Sequence, residues 1–187
     1  MLINHKSKEQ IESEAELISA AQKDLRKFEP IYNIYFERVF RFVYQRLDSK
    51  EEASDISSQV FLKAMENIKK YNNYGIPFSA WLFRIAINEM SNYFTKQTKE
   101  RTINIDTIQI EGILLESGIE FENEKIELLI NSLKQLTEGD LLLIELRFFE
   151  NNSFKEIGEI RDITENNAKV KTYRILDRIK QRKVKHA

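Results

Sequence analysis

The fold of this chain is decided by residues 71–101, which read YNNYGIPFSAWLFRIAINEMSNYFTKQTKER. This stretch holds the single tryptophan and seven of the twenty aromatic residues. Its first seven residues include two asparagines, a glycine and Pro77, and we predict that they form an exposed loop. A helix is predicted to start near Ser79 as its N-cap, with an apolar first half and a polar to basic second half.

Two interpretations of this stretch are open. One is a core helix whose aromatic residues simply pack. The other is a platform for single-stranded nucleic acid, because aromatic rings stack on bases, amides bond base edges and cations meet phosphates. The residues of such a platform are Asn72, Asn73, Tyr74, Arg84, Asn88, Asn92, Lys96 and Lys99.

The composition favours a mostly helical protein of one domain or two small ones. The chain has 187 residues, of which 32% are charged and 42% hydrophobic, with only five Gly and two Pro. The absence of cysteine excludes disulfides and thiolate metal sites. No run approaches the roughly 18 apolar residues of a membrane span, and the first residues turn polar where a signal peptide would be apolar. We therefore expect a cytoplasmic protein that is not inserted in a membrane.

The charges are unevenly distributed, although the net charge is only −1. Residues 102–131 contain seven acids and one base, whereas residues 154–187 contain ten bases and five acids. An acidic middle and a basic end indicate separate roles for the two segments.

Three helices are predicted before the opening stretch, at about residues 9–24, 28–47 and 50–70. The third begins at a capping-box signature, Ser49 with Glu52. The second carries two apolar rows, and we expect so broad a face to be covered by more than one neighbour. These rows are Tyr32, Phe36, Phe40 and Tyr44, and Ile31, Tyr35, Val39 and Val43.

Helical periodicity disappears between Thr102 and Asn123, where isoleucines and leucines lie among acids. A segment of this length is longer than most loops within a compact domain. We therefore predict a linker and a domain boundary here.

The last third of the chain has the pattern of a helix-turn-helix. Ser153 and Glu156 form a capping box that opens a short helix, and Thr164 caps a final helix that ends near Lys183. Asp162 lies in the short turn between them and tolerates the left-handed backbone that such turns often need. The outward face of the basic final helix would meet base edges. An ordinary helical hairpin with a charged surface is the alternative.

These two halves resemble sigma factors of the sigma-70 type, specifically the small extracytoplasmic-function group that keeps only regions 2 and 4. Region 2 is recognisable in EEASDISSQVFLKAMENIKKY at 51–71 and FSAWLFRIAINEMSNYF at 78–94. Region 4 is recognisable in LKQLTEGDLLLIELRFFENNSFKEIGEI at 133–160 and ITENNAKVKTYRILDRIK at 163–180. Met65, Gly139 and Asp162 depart from the residues usual in the family, which puts only fine DNA contacts and local stability in question.

The resemblance implies an all-α fold with two small helical domains joined by a flexible acidic linker. Its domains would be an N-terminal helical extension at 1–26, a region 2-like bundle at 27–99, the linker at 100–125, a region 4-like helix-turn-helix at 126–182 and a tail at 183–187.

The resemblance also implies core RNA polymerase and promoter DNA as partners, and it allows an anti-sigma protein as a third. Asp55, Gln59 and Lys63 would dock on polymerase, although a solvated helix face is the ordinary explanation for such a row. The platform residues would engage the melted minus-ten element. The duplex minus-thirty-five element would be read by Asn166, Asn167, Lys169, Val170, Lys171, Tyr173 and Arg174.

Two other classes of function were weighed. A polymerase-independent helix-turn-helix regulator leaves the Tyr71 region unexplained, and such proteins commonly bind paired half-sites as dimers. An enzyme is disfavoured because the only histidines, His5 and His186, lie at the termini and no glycine-rich phosphate loop occurs. We therefore expect no catalytic residues, no metal and no cofactor.

Overall fold

The computed structural model describes residues 8–47, 49–72, 75–97, 110, 112–114, 116 and 123–184. Every regular element among these residues is a helix. The chain divides into two compact units near residue 103, which confirms the prediction of an all-α chain with two helical domains. No helix in the described ranges has both the length and the apolar character needed to cross a lipid bilayer.

The first unit is a helical bundle in which α2, α3 and α4 pack on one another, and α1 packs against α2 and against the 3-10 turn that follows α3. The elements are α1 (Lys8–Lys23), a 3-10 turn (Leu25–Phe28), α2 (Glu29–Tyr44), α3 (Lys50–Asn67), a second 3-10 turn (Ile68–Lys70) and α4 (Phe78–Gln97). The core of this bundle includes the rings of Phe42 and Phe83, whose centroids are 4.7 Å apart.

The two apolar rows of α2 have different environments. The row of Ile31, Tyr35, Val39 and Val43 is buried. The row of Tyr32, Phe36, Phe40 and Tyr44 is only partly covered, since Tyr32 is 37% and Tyr44 42% exposed. More than one neighbour covers α2, as expected, because both α3 and α4 pack against it. The rings of the partly exposed row stack on one another along the helix, at centroid distances of 4.9, 6.0 and 5.7 Å, and Tyr32 and Phe36 also contact Phe61 of α3.

Helix α3 begins at its predicted cap, where Ser49 Oγ accepts the backbone N–H of Glu52 at 3.2 Å. The predicted cap of α4 is wrong. Ser79 lies inside that helix, is 2% exposed, and its Oγ has no hydrogen-bond partner among the described residues. The backbone N–H of Phe78 instead donates to Glu14 Oε2 on α1 at 3.1 Å. A cap supplied from so far along the chain leaves no signal in the local sequence.

The second unit contains the predicted linker segment in part. The linker predicted between residues 102 and 123 is helical at residues 110, 112–114 and 116, which the loss of periodicity did not indicate. Ile110, Ile113 and Leu114 are at most 3% exposed, so burial of these apolar side chains stabilises the segment. The acidic residues among them interrupt the helical periodicity of the sequence. The other elements are α5 (Asn123–Lys134), α6 (Glu138–Ile144), a π-helical turn (Glu145–Phe149), α7 (Phe154–Arg161) and α8 (Glu165–Val184).

Helices α7 and α8 form the predicted helix-turn-helix. The capping box of α7 is complete, since Ser153 Oγ accepts from the Glu156 N–H at 3.1 Å and the Glu156 carboxylate accepts from the Ser153 N–H at 2.7 Å. Asp162 has φ 56° and ψ 47°, the left-handed conformation expected of it. A side chain at Gly158 would place Cβ 2.7 Å from the carbonyl oxygen of Ile163. This turn therefore approaches α7 more closely than any residue with a Cβ allows.

Candidate nucleic-acid interface

The predicted duplex-reading residues share the exposed side of α8. Thr164 Oγ1 caps this helix by accepting the N–H of Asn167 at 3.2 Å. The side facing the core carries Ala168, Thr172, Ile175 and Ile179, each at most 1% exposed. All seven predicted readers are exposed: Asn166, Asn167, Lys169, Val170, Lys171, Tyr173 and Arg174. Their contacts with DNA stay a prediction.

Tyr173 is held by two contacts within the second unit. Its ring centroid lies 5.9 Å from that of Phe154 at the start of α7. Its hydroxyl donates to Glu116 Oε1 at 3.0 Å. Burial, and then the hydrogen bond to Glu116, raise the pKa of the Tyr173 phenol above its usual value. The phenol is therefore a stable donor, and in this structure it donates to an acid from the predicted linker.

The same carboxylate faces Arg147, which is 9% exposed. The guanidinium donates to the carbonyl of Asn152 at 3.1 Å, lies 4.4 Å from the ring centroid of Phe154, and is 3.5 Å from Glu116 Oε2. Glu116 therefore bridges a nearly buried cation and a predicted DNA reader. This arrangement was not predicted from the sequence. A lone arginine in the mostly apolar segment from Leu141 to Phe149 indicates a buried cation, but no nearby residue in the sequence indicates its partner.

A cationic cleft of about 660 Å³ lies beside the reading face. Arg161, Lys171, Arg174 and Arg178 line it, together with Asp140 and Asp177. Arg178 Nη2 is 2.5 Å from Asp140 Oδ2, and half of the Arg178 side chain is exposed, so this pair contributes little to stability. Four cations thus line one cleft, and their contact with the phosphates of a bound duplex stays a prediction.

The predicted platform residues of α4 that the structure describes form one exposed stripe. Arg84, Asn88, Asn92 and Lys96 are four residues apart and all exposed. Asn72 is also exposed, at the start of the loop. Asn73, Tyr74 and Lys99 lie outside the described residues.

The stripe borders a cleft of about 610 Å³ between α3 and α4. Trp81 and Ile85 are half-buried in its wall, beside Asn88 and Asn92. Trp81 also belongs to an aromatic cluster with Tyr71 and Phe78, whose ring centroids are 5.0 to 5.1 Å apart. The interpretation of this stretch as core alone therefore fits Phe78, which is fully buried, and not Trp81.

The predicted polymerase-binding residues divide between two surfaces. Asp55 and Gln59 are exposed on the outer face of α3. Lys63 lines the α3–α4 cleft, and its Nζ donates to Glu89 Oε1 at 2.5 Å. Leu62 lies on the same side as Asp55 and Gln59 and is 48% exposed. The sequence signal for Leu62 was its place outside the apolar row that contains Val60 and Ala64. Among the residues that the structure describes, no cluster of three or more His, Asp or Glu side chains could hold a metal ion.

Comparison with known proteins identifies the family. Residues 31–100 match the family model for Sigma-70 region 2. The ECF RNA polymerase sigma factor SigM of Bacillus subtilis (strain 168) is 28% identical over 153 residues, 80% of this chain and 91% of that relative. The ECF RNA polymerase sigma-E factor of Haemophilus influenzae is 25% identical over 185 residues, 93% of this chain and 96% of that relative. The solved structure of CnrH in complex with the cytosolic domain of CnrY has a TM-score of 0.58 at 15% identity and covers 91% of this chain and 97% of that chain, which supports the fold. Residues 31–100 thus match Sigma-70 region 2, and the similarity of most of the chain to ECF RNA polymerase sigma factors supports its placement in the extracytoplasmic-function group of the sigma-70 family.

Proposed function

We propose that this chain is a promoter-specificity subunit that binds core RNA polymerase in the cytoplasm, recognises promoter DNA and promotes the start of transcription. It performs no covalent chemistry of its own. The observation that carries the proposal is the presence, in one chain, of an exposed basic helix-turn-helix and of a separate stripe of amides and cations beside an aromatic cleft. These two surfaces suit two different states of DNA.

The second unit would read the duplex minus-thirty-five element. Helix α8 offers amide, tyrosine and cationic side chains on one exposed face, which match the donor and acceptor pattern of the major groove. The adjoining cationic cleft would contact the phosphates that flank those bases. Base contacts specify the sequence, and phosphate contacts fix the register.

The first unit would engage the melted minus-ten element. Asn88 and Asn92 line the same cleft as Trp81, so amide groups stand next to an indole face that is accessible in part. Arg84 and Lys96 extend this stripe at both ends with positive charge. Such a surface binds bases only after they leave the duplex stack.

The outer face of α3 is proposed as the surface that docks on core polymerase. Leu62 is an exposed apolar side chain on the same face of α3 as two polar residues, Asp55 and Gln59. An apolar anchor with a polar rim is the usual centre of a protein interface. Lys63 would act at the edge of this surface. An anti-sigma protein would act by covering the same surface, in competition with polymerase.

The proposal is tested by transcription from a promoter library with purified core polymerase. The chain alone should bind promoter fragments weakly, because its net charge is −1 and the segment at 102–131 is acidic. With core polymerase it should select and open a defined class of promoters. Tight, sequence-specific binding by the chain alone, with no stimulation of polymerase, would instead establish a polymerase-independent regulator.

A further inference from the structure

Helix α1 is hydrogen-bonded to both ends of the loop that precedes α4. On one side, Gln22 Nε2 donates to the carbonyl oxygens of Ile68 at 3.0 Å and Tyr71 at 2.8 Å. On the other side, Glu14 Oε2 accepts the backbone N–H of Phe78 at 3.1 Å. Glu14 and Gln22 are two helical turns apart on the same side of α1, so one rigid element fixes where the loop leaves α3 and where it enters α4.

Because these contacts are buried, they require well-defined positions of the groups that make them. Glu14 is 7% exposed, and a carboxylate is seldom placed so deeply unless its position is specified. It lies at the N-terminal end of α4, where backbone N–H groups lack partners within the helix. Ile18 and Ala21, 3% and 0% exposed, lie between the two polar contacts and anchor α1 to the bundle.

The three backbone groups held by α1 lead directly into the aromatic cluster. Two of its three members, Tyr71 and Phe78, supply a carbonyl and an N–H to the hydrogen bonds with α1. Their rings are 5.0 Å apart, and each lies 5.1 Å from Trp81. A shift of either backbone group would therefore move a ring that packs on Trp81, which lines the α3–α4 cleft.

We infer that Glu14 and Gln22 are positioning residues for capture of the melted minus-ten strand: α1 sets the geometry of the loop ends and of the aromatic cluster that holds Trp81 in the wall of the proposed base-binding cleft. This inference rests on the proposed function and deepens it. It assigns to α1 a role in promoter opening, without direct contact with DNA.

The test compares variants of the full chain in complex with core polymerase. Gln22→Met keeps the length of the side chain and removes both N–H donors, and Glu14→Ala removes the acceptor. We expect each variant to slow open-complex formation on duplex promoters about tenfold, since misplacing a preorganised site costs rate. Glu14→Gln retains an oxygen acceptor and should stay within about threefold of the parental rate. Glu16→Gln, an exposed position on α1, is the matched control and should change nothing.

The readout that separates positioning from mere stability is base preference. Promoters with single substitutions in the minus-ten element should be discriminated less well by Gln22→Met than by the parental chain, at a temperature where thermal unfolding shows both fully folded. Polymerase affinity and duplex binding should be unchanged. Parental opening rates and base preference in Gln22→Met and Glu14→Ala would overturn the inference, as would an equal loss of polymerase binding and opening. Failure of the parental chain to open any promoter with polymerase would overturn the proposed function instead.

Discussion

Replacing Glu116 with Gln should strengthen binding of the free chain to duplex upstream promoter DNA about threefold. The carboxylate is bonded to Tyr173 on the predicted reading face of α8, so a duplex bound to that face would bring its phosphates close to this charge. At roughly 7 Å, two negative charges repel by about 0.6 kcal/mol in a dielectric of about 80, which corresponds to about threefold in affinity. The amide keeps the length of the side chain and can still accept from the Tyr173 hydroxyl.

Fluorescence anisotropy of a labelled duplex, at one fixed salt concentration, measures this change. Glu127→Gln removes the same charge from an exposed position on α5 and is the matched control. The Glu116 variant should also lose about 1 kcal/mol of stability, because Arg147 is only 9% exposed and loses its carboxylate partner. Equal gains in affinity for both variants would show that the effect comes from net charge alone. No gain for Glu116→Gln would refute the placement of its carboxylate on the DNA side.

Arg174→Ala should cost about 1–3 kcal/mol of discrimination between upstream sequences, whereas Lys180→Ala should weaken all sequences alike in filter binding with polymerase. Uniform weakening by Arg174→Ala would exclude a base contact. Gly158→Ala should lower stability by about 1–3 kcal/mol in chemical denaturation because its Cβ would meet a carbonyl at 2.7 Å; Gly139→Ala, with no atom within 4 Å of its Cβ, should be neutral or stabilising. The raised pKa of Tyr173 means that the folded chain holds a proton which the unfolded chain releases above about pH 10. Its contribution to stability should be complete below that pH and lost as pH rises further, and Tyr173→Phe should remove this alkaline dependence in thermal melts.

Local signals explain the features that could be predicted from the sequence. The caps at Ser49, Ser153 and Thr164 each bond an N–H three residues later, so a short window contains both partners. The left-handed Asp162 was predictable for the same reason, because turn geometry depends on a few adjacent residues.

Contacts between distant residues explain what was missed. The cap of α4 comes from Glu14, 64 residues earlier in the chain, and the partner of Tyr173 is Glu116, 57 residues earlier. A capping rule based on neighbouring residues predicts Ser79 as the N-cap of α4, because a serine before an apolar run has the expected pattern.

The periodicity of apolar residues also predicts which face of a helix is apolar, but not whether other elements cover that face. The two rows of α2 have the same spacing and a similar composition, yet Ile31 is 1% exposed and Tyr32 37%. The division depends on where α3 and α4 lie, which is a property of the assembled bundle.

The close approach at Gly158 has a consequence for how promoter preference diverges. The turn that orients α8 rests on a contact between two backbone segments, and none of the exposed readers of α8 takes part in it. Substitutions among those predicted readers, with the exception of Tyr173, therefore leave the angle of the helix unchanged and cost little stability, because exposed positions tolerate exchange. Duplicated copies of such a gene would drift toward new target sites one base contact at a time, each remaining folded throughout. The same property makes α8 the place to build mutually independent promoter and subunit pairs for synthetic circuits.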